Sequence, residues 1–371
     1  MAAGVVLLVV AAVAYGVMST GDDPGEKRKG PDAGAVSAWG QQAGKQVTAV
    51  PALLYTGTVT ASGKPAQLRL SVTRTGSATG TLTVAGQPPV SLVVIDGETY
   101  VKGGPAFWAA YGGAGVSPEN YAGRWTKAPA SMPGLDVREA LGSDSIARAL
   151  ARAPAKAPAE NVDGTPAYKV KTARADYFVT TAAPHRLLRV QVAGQGDPRF
   201  AVTEVADAAP MFKELRPRVA ALGGALDPAL RFRPGRLTFV NCDNNTSGCT
   251  VSVPVEMTDP SGAVPDGARA SLRATITSKK RSLGTCVGAG PVPANRSLVL
   301  RCTVTGRGWR VWMKKALDSP GAHPYEAQAR VLGEAVAAAD VAKLLAIVDR
   351  EGGTPPPGPP VSVKPSPKTR K

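Results

Sequence analysis

Apolar and polar side chains alternate along two long stretches of this chain, and that two-residue period confines both to β-sheet. In the first, Leu53-Leu54-Tyr55-Thr56-Gly57-Thr58-Val59 is followed by Leu68, Leu70 and Val72, then Leu82 and Val84, then Leu92 and Val94. Asp96-Gly97 marks a tight hairpin turn. One apolar face per strand predicts an antiparallel sheet with one dry side. In the second stretch the period returns in Val251, Val253 and Val255, in Leu272, Ala274 and Ile276, and in Leu298, Leu300, Cys302 and Val304. Four more strands are predicted between them, over 167–173, 177–181, 187–192 and 200–205, with Asp163-Gly164 as a turn.

The period changes in a few places. Short apolar clusters predict a helix around Phe107-Trp108-Ala109-Ala110-Tyr111, a longer one over 137–151 and a closing one over 210–222. Pro228 to Pro234 reads as a linker. Trp309-Arg310-Val311-Trp312-Met313 and residues 326–331 read as the last strands. Val341, Leu344, Leu345 and Val348 then fall at helical spacing within 334–350.

The two ends differ from the middle. Residues 1–21 carry no charged side chain, and Val5 to Val17 is an almost unbroken apolar run, close to the roughly 20 residues a membrane helix needs. A retained anchor is the favoured reading, with a cleaved secretory signal at Ala12-Val13-Ala14 as the competing one. Residues 22–35 are polar and read as a flexible stalk. From 352 to 371 the chain is Pro-rich and basic with no acid, and a disordered tail is predicted.

Cysteine usage places the chain outside the cytoplasm. Its four cysteines, Cys242, Cys249, Cys286 and Cys302, all lie in the second alternating stretch. Pairing as Cys242–Cys249 and Cys286–Cys302 would staple a polar turn and two neighbouring strands, and such pairs persist only in an oxidising compartment. Four reduced buried thiols and a metal site are the other readings. Zinc fits poorly, because there is no C-x-x-C spacing and the two histidines, His185 and His323, lie in Pro-flanked polar segments.

The net charge of +16, from 44 Lys+Arg against 28 Asp+Glu, favours anionic surroundings. The cations are scattered, without the interleaved aromatics of a nucleic-acid groove, so nucleic acid is not expected as a partner. No G-x-S-x-G or S-x-x-K motif occurs, and no glycine-rich phosphate loop. The chain is therefore read as a non-enzymatic protein with no cofactor, no metal and no catalytic residue.

Aromatics are only 5% of residues, yet Tyr100, Phe107, Trp108, Tyr111, Tyr121 and Trp125 cluster. The order Asp96-Gly97-Glu98-Thr99-Tyr100-Val101-Lys102, Phe107-Trp108, Tyr121-Ala122-Gly123-Arg124-Trp125-Thr126-Lys127, then Asp163-Gly164-Thr165-Pro166-Ala167-Tyr168-Lys169-Val170 and Pro184-His185-Arg186-Leu187-Leu188 resembles the actinobacterial LppX/LprG-type, LolA-like lipoprotein family over residues 36–222. The resemblance implies an α+β half-barrel, a bent antiparallel sheet with helices on its concave face, holding a lipid or glycolipid. It implies an apolar cavity lined by Leu70, Val72, Leu82, Val84, Leu92, Val94, Tyr100, Phe107, Trp108, Tyr111 and Trp125. The family's lipobox cysteine is missing, since the first cysteine is Cys242.

The expected organisation is a transmembrane anchor or signal (1–21), a stalk (22–35), a half-barrel (36–225), a linker (226–235), a small disulfide-containing all-β sandwich (236–332), a helix (333–351) and a tail (352–371). The expected role is a single-pass cell-membrane protein, with its bulk extracytoplasmic, that binds an apolar or lipid ligand. The alternative is an extracytoplasmic sensor or interaction module for an envelope protein or wall polymer, without a small ligand.

Overall fold

The computed structural model describes residues 37–353 apart from 62–63, 131, 133–135 and 195. Helix α1 (Ala38–Ala49) leads into the strands β1 (Ala52–Ala61), β2 (Lys64–Thr73), β3 (Ala78–Val84), β4 (Val90–Ile95) and β5 (Glu98–Lys102). Short helices α2 (Pro105–Tyr111) and α3 (Pro118–Tyr121), strand β6 (Thr126–Lys127), and helices α4 (Val137–Leu141) and α5 (Ser143–Leu150) follow. Next come β7 (Ala159–Val162), β8 (Thr165–Lys171), β9 (Ala175–Thr180), β10 (Leu187–Val192), β11 (Arg199–Val205) and helix α6 (Ala209–Ala220). The rest comprises β12 (Leu226–Asp227), β13 (Arg231–Pro234), β14 (Thr238–Val240), β15 (Cys249–Asp259), β16 (Arg269–Ser278), β17 (Arg281–Pro291), β18 (Ser297–Val304), helix α7 (Arg307–Asp318), β19 (Glu326–Glu334) and helix α8 (Val341–Glu351).

The expected half-barrel followed by a separate sandwich is not what these strands build. Among the described residues, fifteen of them form one mixed sheet in the order β17-β16-β19-β12-β6-β5-β4-β3-β2-β1-β11-β10-β9-β8-β7. The joint is β12: Leu226 pairs in parallel with Thr126 of β6, while Leu226 and Asp227 pair antiparallel with Glu334 and Gly333 of β19. The Leu226 amide donates to the Trp125 carbonyl at 2.9 Å, so a backbone acceptor just before β6 finds its donor in a later part of the chain and the sheet continues instead of ending. A second sheet of four strands has β15 at its centre, flanked by β13 and β14 on one side and β18 on the other.

The predicted membrane helix at 1–21, the stalk and the tail beyond Gly353 lie outside the described residues. No helix among those described is long and apolar enough to cross a membrane.

Along β3, β4 and β5 the sheet is buried on both faces. Leu82, Leu92 and Val94 join one core cluster with Val47 of α1, Trp108 of α2 and Ile146 and Leu150 of α5. Val93, Ile95 and Tyr100 point the other way, into a cluster with Met211, Leu215 and Val219 of α6 and Val348 of α8. Coverage on both sides is why Val93-Val94-Ile95 reads as a continuous apolar run and not as alternation. Each fully buried aliphatic chain contributes about 1.5–3 kcal/mol.

The predicted single helix over 137–151 breaks at Gly142, whose backbone is extended. Tyr55 Oη donates to the Leu141 carbonyl at 2.6 Å and Tyr177 Oη to that of Ala140 at 3.2 Å. These two hydroxyls cap carbonyls that the end of α4 leaves open, and they pin that end to the sheet. Helix α8 returns from the C-terminal side to pack on α6. Its Asp349 accepts from Arg216 Nε at 2.7 Å, and its Glu351 accepts from Thr73 at 2.7 Å, from Ser77 at 2.9 Å and from Thr75.

Around residues 228–334, strands β16, β17 and β19 face the second sheet across a core of Val251, Val253, Leu272, Ile276, Leu300 and Trp309. Both cysteine pairs are disulfides. Cys286–Cys302 joins β17 to β18 across the two sheets with a Cα separation of 5.6 Å, and Cys242–Cys249 closes the turn before β15. The predicted linker contains β13, and the segment 309–313 is helix α7, not a strand. Trp309 and Met313, four apart, are its buried residues, whereas Val311 is exposed, which is helical and not strand spacing.

Candidate functional site

The β1–β5 sheet leaves an apolar cavity of about 580 Å³ on the face that carries α4. Its floor is Val59 of β1, Leu68 and Leu70 of β2, Leu82 of β3, and Leu92 and Val94 of β4, with Val137 of α4 and Val192 of β10 at the sides. Register sets the rows: Leu68 lies opposite Leu82, and Gly80 lies between Leu70 and Leu92. A Cβ at Gly80 would come within 2.1 Å of the Arg69 carbonyl oxygen, so glycine permits a close backbone approach beneath the floor. None of the eight side chains in the floor and sides is more than 6% exposed. The open space therefore faces the rim.

That rim is made by Gly97, Glu98 and Thr99 on one side, by Lys127, Ala128, Pro129, Ala130 and Met132 on another, and by Ala193, Gly194 and Pro198 beyond β10. The Ala128 amide donates to the Thr99 carbonyl at 2.8 Å and holds the start of this segment against β5. At the mouth Lys127 Nζ lies 2.9 Å from Glu98 Oε1, with both side chains more than a third exposed. Lys127 is the one cation in the lining, and it is paired.

Of the residues predicted to line an apolar cavity, Leu70, Leu82, Leu92 and Val94 do so. Val72 and Val84 are buried in the same core without touching the open space. Phe107, Trp108 and Tyr111 pack with one another and with Tyr121 in a closed aromatic cluster, ring centroids 5.0–5.3 Å apart. The Trp108 indole is 1% exposed, and its Nε1 has no hydrogen-bond partner among the described residues. Tyr100 and Trp125 sit on the opposite face with Leu215 and Val219. Burial first, then Glu98, Asp227 and Asp96, push the Tyr100 phenol up to about 12. It is an uncharged core side chain at any ordinary pH.

The rim residues were not predicted from the sequence. Ala128-Pro129-Ala130 carries no periodic signal, and the Glu98–Lys127 pair follows only from the pairing of β5 with β6, a strand of two residues. His185 Nδ1 lies 3.0 Å from the Thr180 carbonyl oxygen and His323 Nε2 3.1 Å from that of Ser319, both as local loop contacts. No group of three or more His, Cys, Asp or Glu side chains suited to a metal occurs among the described residues.

No family model matches the chain, and no curated protein matches it. Among solved structures it is similar to MucB at a TM-score of 0.24 and 14% identity, over 74% of this chain and 94% of that one. MucB in complex with MucA(peri) gives 0.22 and 12%, and the MucA/MucB complex of Pseudomonas aeruginosa gives 0.22 and 11%, over the same shares. A likeness this slight carries no argument about what this chain binds.

Proposed function

We propose that this is an extracytoplasmic, non-enzymatic interaction protein of the cell envelope, and that the cavity beneath β1–β4 takes up an apolar segment of a partner protein. The observation that carries this reading is an apolar floor of six leucine and valine side chains from four strands, bordered by a rim holding one cation and one carboxylate, already paired. Apolar side chains of a peptide gain by burial there, at about 25 cal/mol per Å² removed from water. Backbone groups and the Glu98–Lys127 pair at the mouth suit a segment that carries both donors and acceptors. The two disulfides support an oxidising compartment as the place of work.

A lipid or glycolipid ligand is the second reading, favoured by the cavity's volume and apolar floor. An anionic headgroup, however, would meet only Lys127 at the mouth, and that cation is engaged.

The test is photo-crosslinking from a benzoyl-phenylalanine placed at Ala130, on the rim, in cells that export the chain. Thr58, exposed and away from the lining, is the control position. A protein adduct at 130 that is missing at 58, and is lost with Leu92→Glu, supports the proposal. An adduct with the mass of a lipid replaces it by the second reading. No adduct at 130 overturns both.

A further inference from the structure

Helix α7 carries a cationic surface that the cavity does not use. Its buried side is Trp309 and Met313, and its outward arc holds Arg307, Arg310, Val311, Lys314, Lys315, Leu317 and Asp318. Beside it the β16–β17 hairpin turns at Lys279 and Lys280, both with positive φ. Lys279, Arg281, Arg307, Lys315 and His323 line one cleft of about 750 Å³ with Trp312 and Val311, and no carboxylate lines it. Among the described residues, Lys279, Arg281, Arg307 and Lys315 make no salt bridge and no side-chain hydrogen bond. Such a set leaves a strongly positive potential uncompensated. The same arc exposes Val311 at 59% and Leu317 at 49%.

We infer that α7 and the 279–281 hairpin form a docking surface for an anionic phospholipid membrane. Charge complementarity names the partner's sign, and the exposed apolar pair chooses among anionic partners. A soluble polyanion offers Val311 and Leu317 nothing to bury against, whereas a bilayer interface takes apolar side chains between headgroups while lysine and arginine meet the phosphates. Trp312 at the edge of the cleft suits the same boundary. Each cation held near an anionic leaflet is worth about fivefold in affinity. The inference is independent of the cavity's occupant, because none of these residues lines that cavity.

The test uses the full chain and vesicles of phosphatidylcholine with or without about 30% phosphatidylglycerol, read by co-sedimentation. Residues 1–36 are common to every variant, so the difference between variants isolates this surface. The expected result is tighter binding to the vesicles that hold the anionic lipid, an excess that weakens as salt rises from about 0.1 to about 0.5 M. In R307E/K315E it falls by about twentyfold or more, and in V311S/L317S it falls several-fold with the salt dependence kept. Near-ultraviolet circular dichroism confirms that each variant retains its fold, and K279E/K280E serves as a second charge reversal away from the helix. Equal binding to both kinds of vesicle, or no change in either charge-reversed variant, overturns the inference. Full competition by soluble polyphosphate, with V311S/L317S unaffected, also overturns it, in favour of an anionic polymer.

Discussion

Residues 37–227 and residues 228–334 share the same alternating strands but keep them folded by different means. In the first region, helices cover the sheet on both faces, α1, α2, α4 and α5 on one and α6 with the returning α8 on the other. That region contains no cysteine. In the second, two sheets face each other across one thin core, a single helix closes one end, and both disulfides are found there. A thin core buries less surface per residue and depends more on cross-links, whereas a broad core can leave a cavity open and stay folded.

The sharpest way to break this comparison is to truncate one leucine in each region. Leu272→Ala, in the closely packed core between the two sheets, is expected to cost about 4 kcal/mol, and Leu92→Ala, beside space that is already open, only about 2–3 kcal/mol. Denaturant unfolding of both variants checks the order, and equal losses would mean that the cavity is filled in solution. Next, replacing Cys286 and Cys302 together by Ala is expected to cost about 3 kcal/mol for a loop of this length. Hydrogen exchange should then rise in β15–β18 and stay unchanged in β1–β5.

Much of the strand pattern was legible because alternation reports one buried face, and β1, β2, β3, β15 and β16 fall where Leu53, Leu70, Leu82, Val253 and Leu272 put them. What was not legible has physical causes. Trp309 to Met313 is rich in bulky side chains that favour strands, whereas in the fold it packs as a helix on β17, with Trp309 donating to the Asn245 carbonyl. Two-residue strands such as β6 and β12 have no period at all, yet they join the two regions into one sheet. Helix α1 was missed because its buried face is small: Gly40, Ala43, Gly44 and Val47. Four of the eleven predicted cavity residues line the open space, since the aromatics that stood out by composition pack against one another or on the far side of the sheet.

Two smaller effects sharpen the picture within each core. Tyr55→Phe leaves the Leu141 carbonyl without its donor and is expected to cost about 1–3 kcal/mol, with α4 and α5 losing exchange protection first. Both fully buried tryptophans should tell their regions apart. Trp309 Nε1 donates to the Asn245 carbonyl at 2.9 Å while Trp108 Nε1 has no partner among the described residues, so Trp309→Phe should exceed Trp108→Phe by about 1 kcal/mol.

The smallest expected effect concerns the α8 return. The hydrogen-bonded ion pair with Arg216 holds the Asp349 carboxyl below the usual carboxylate range. Its stabilising contribution is therefore complete above the unfolded value of about 4 and is lost as pH falls through the lower folded value. Melting temperatures of the wild type and Asp349→Asn should differ above about pH 5 and converge in acid. A constant difference across that range would show that the pair does not couple α8 to α6.

The most direct test of the central claim is a methyl-resolved magnetic-resonance titration of the leucines with short apolar peptides. The account predicts saturable shifts at Leu68, Leu70, Leu82 and Leu92, none at Leu272 or Leu300, and their loss in Leu82→Glu. Shifts confined to the second region, or none at the four floor leucines with any peptide at saturation, would contradict it.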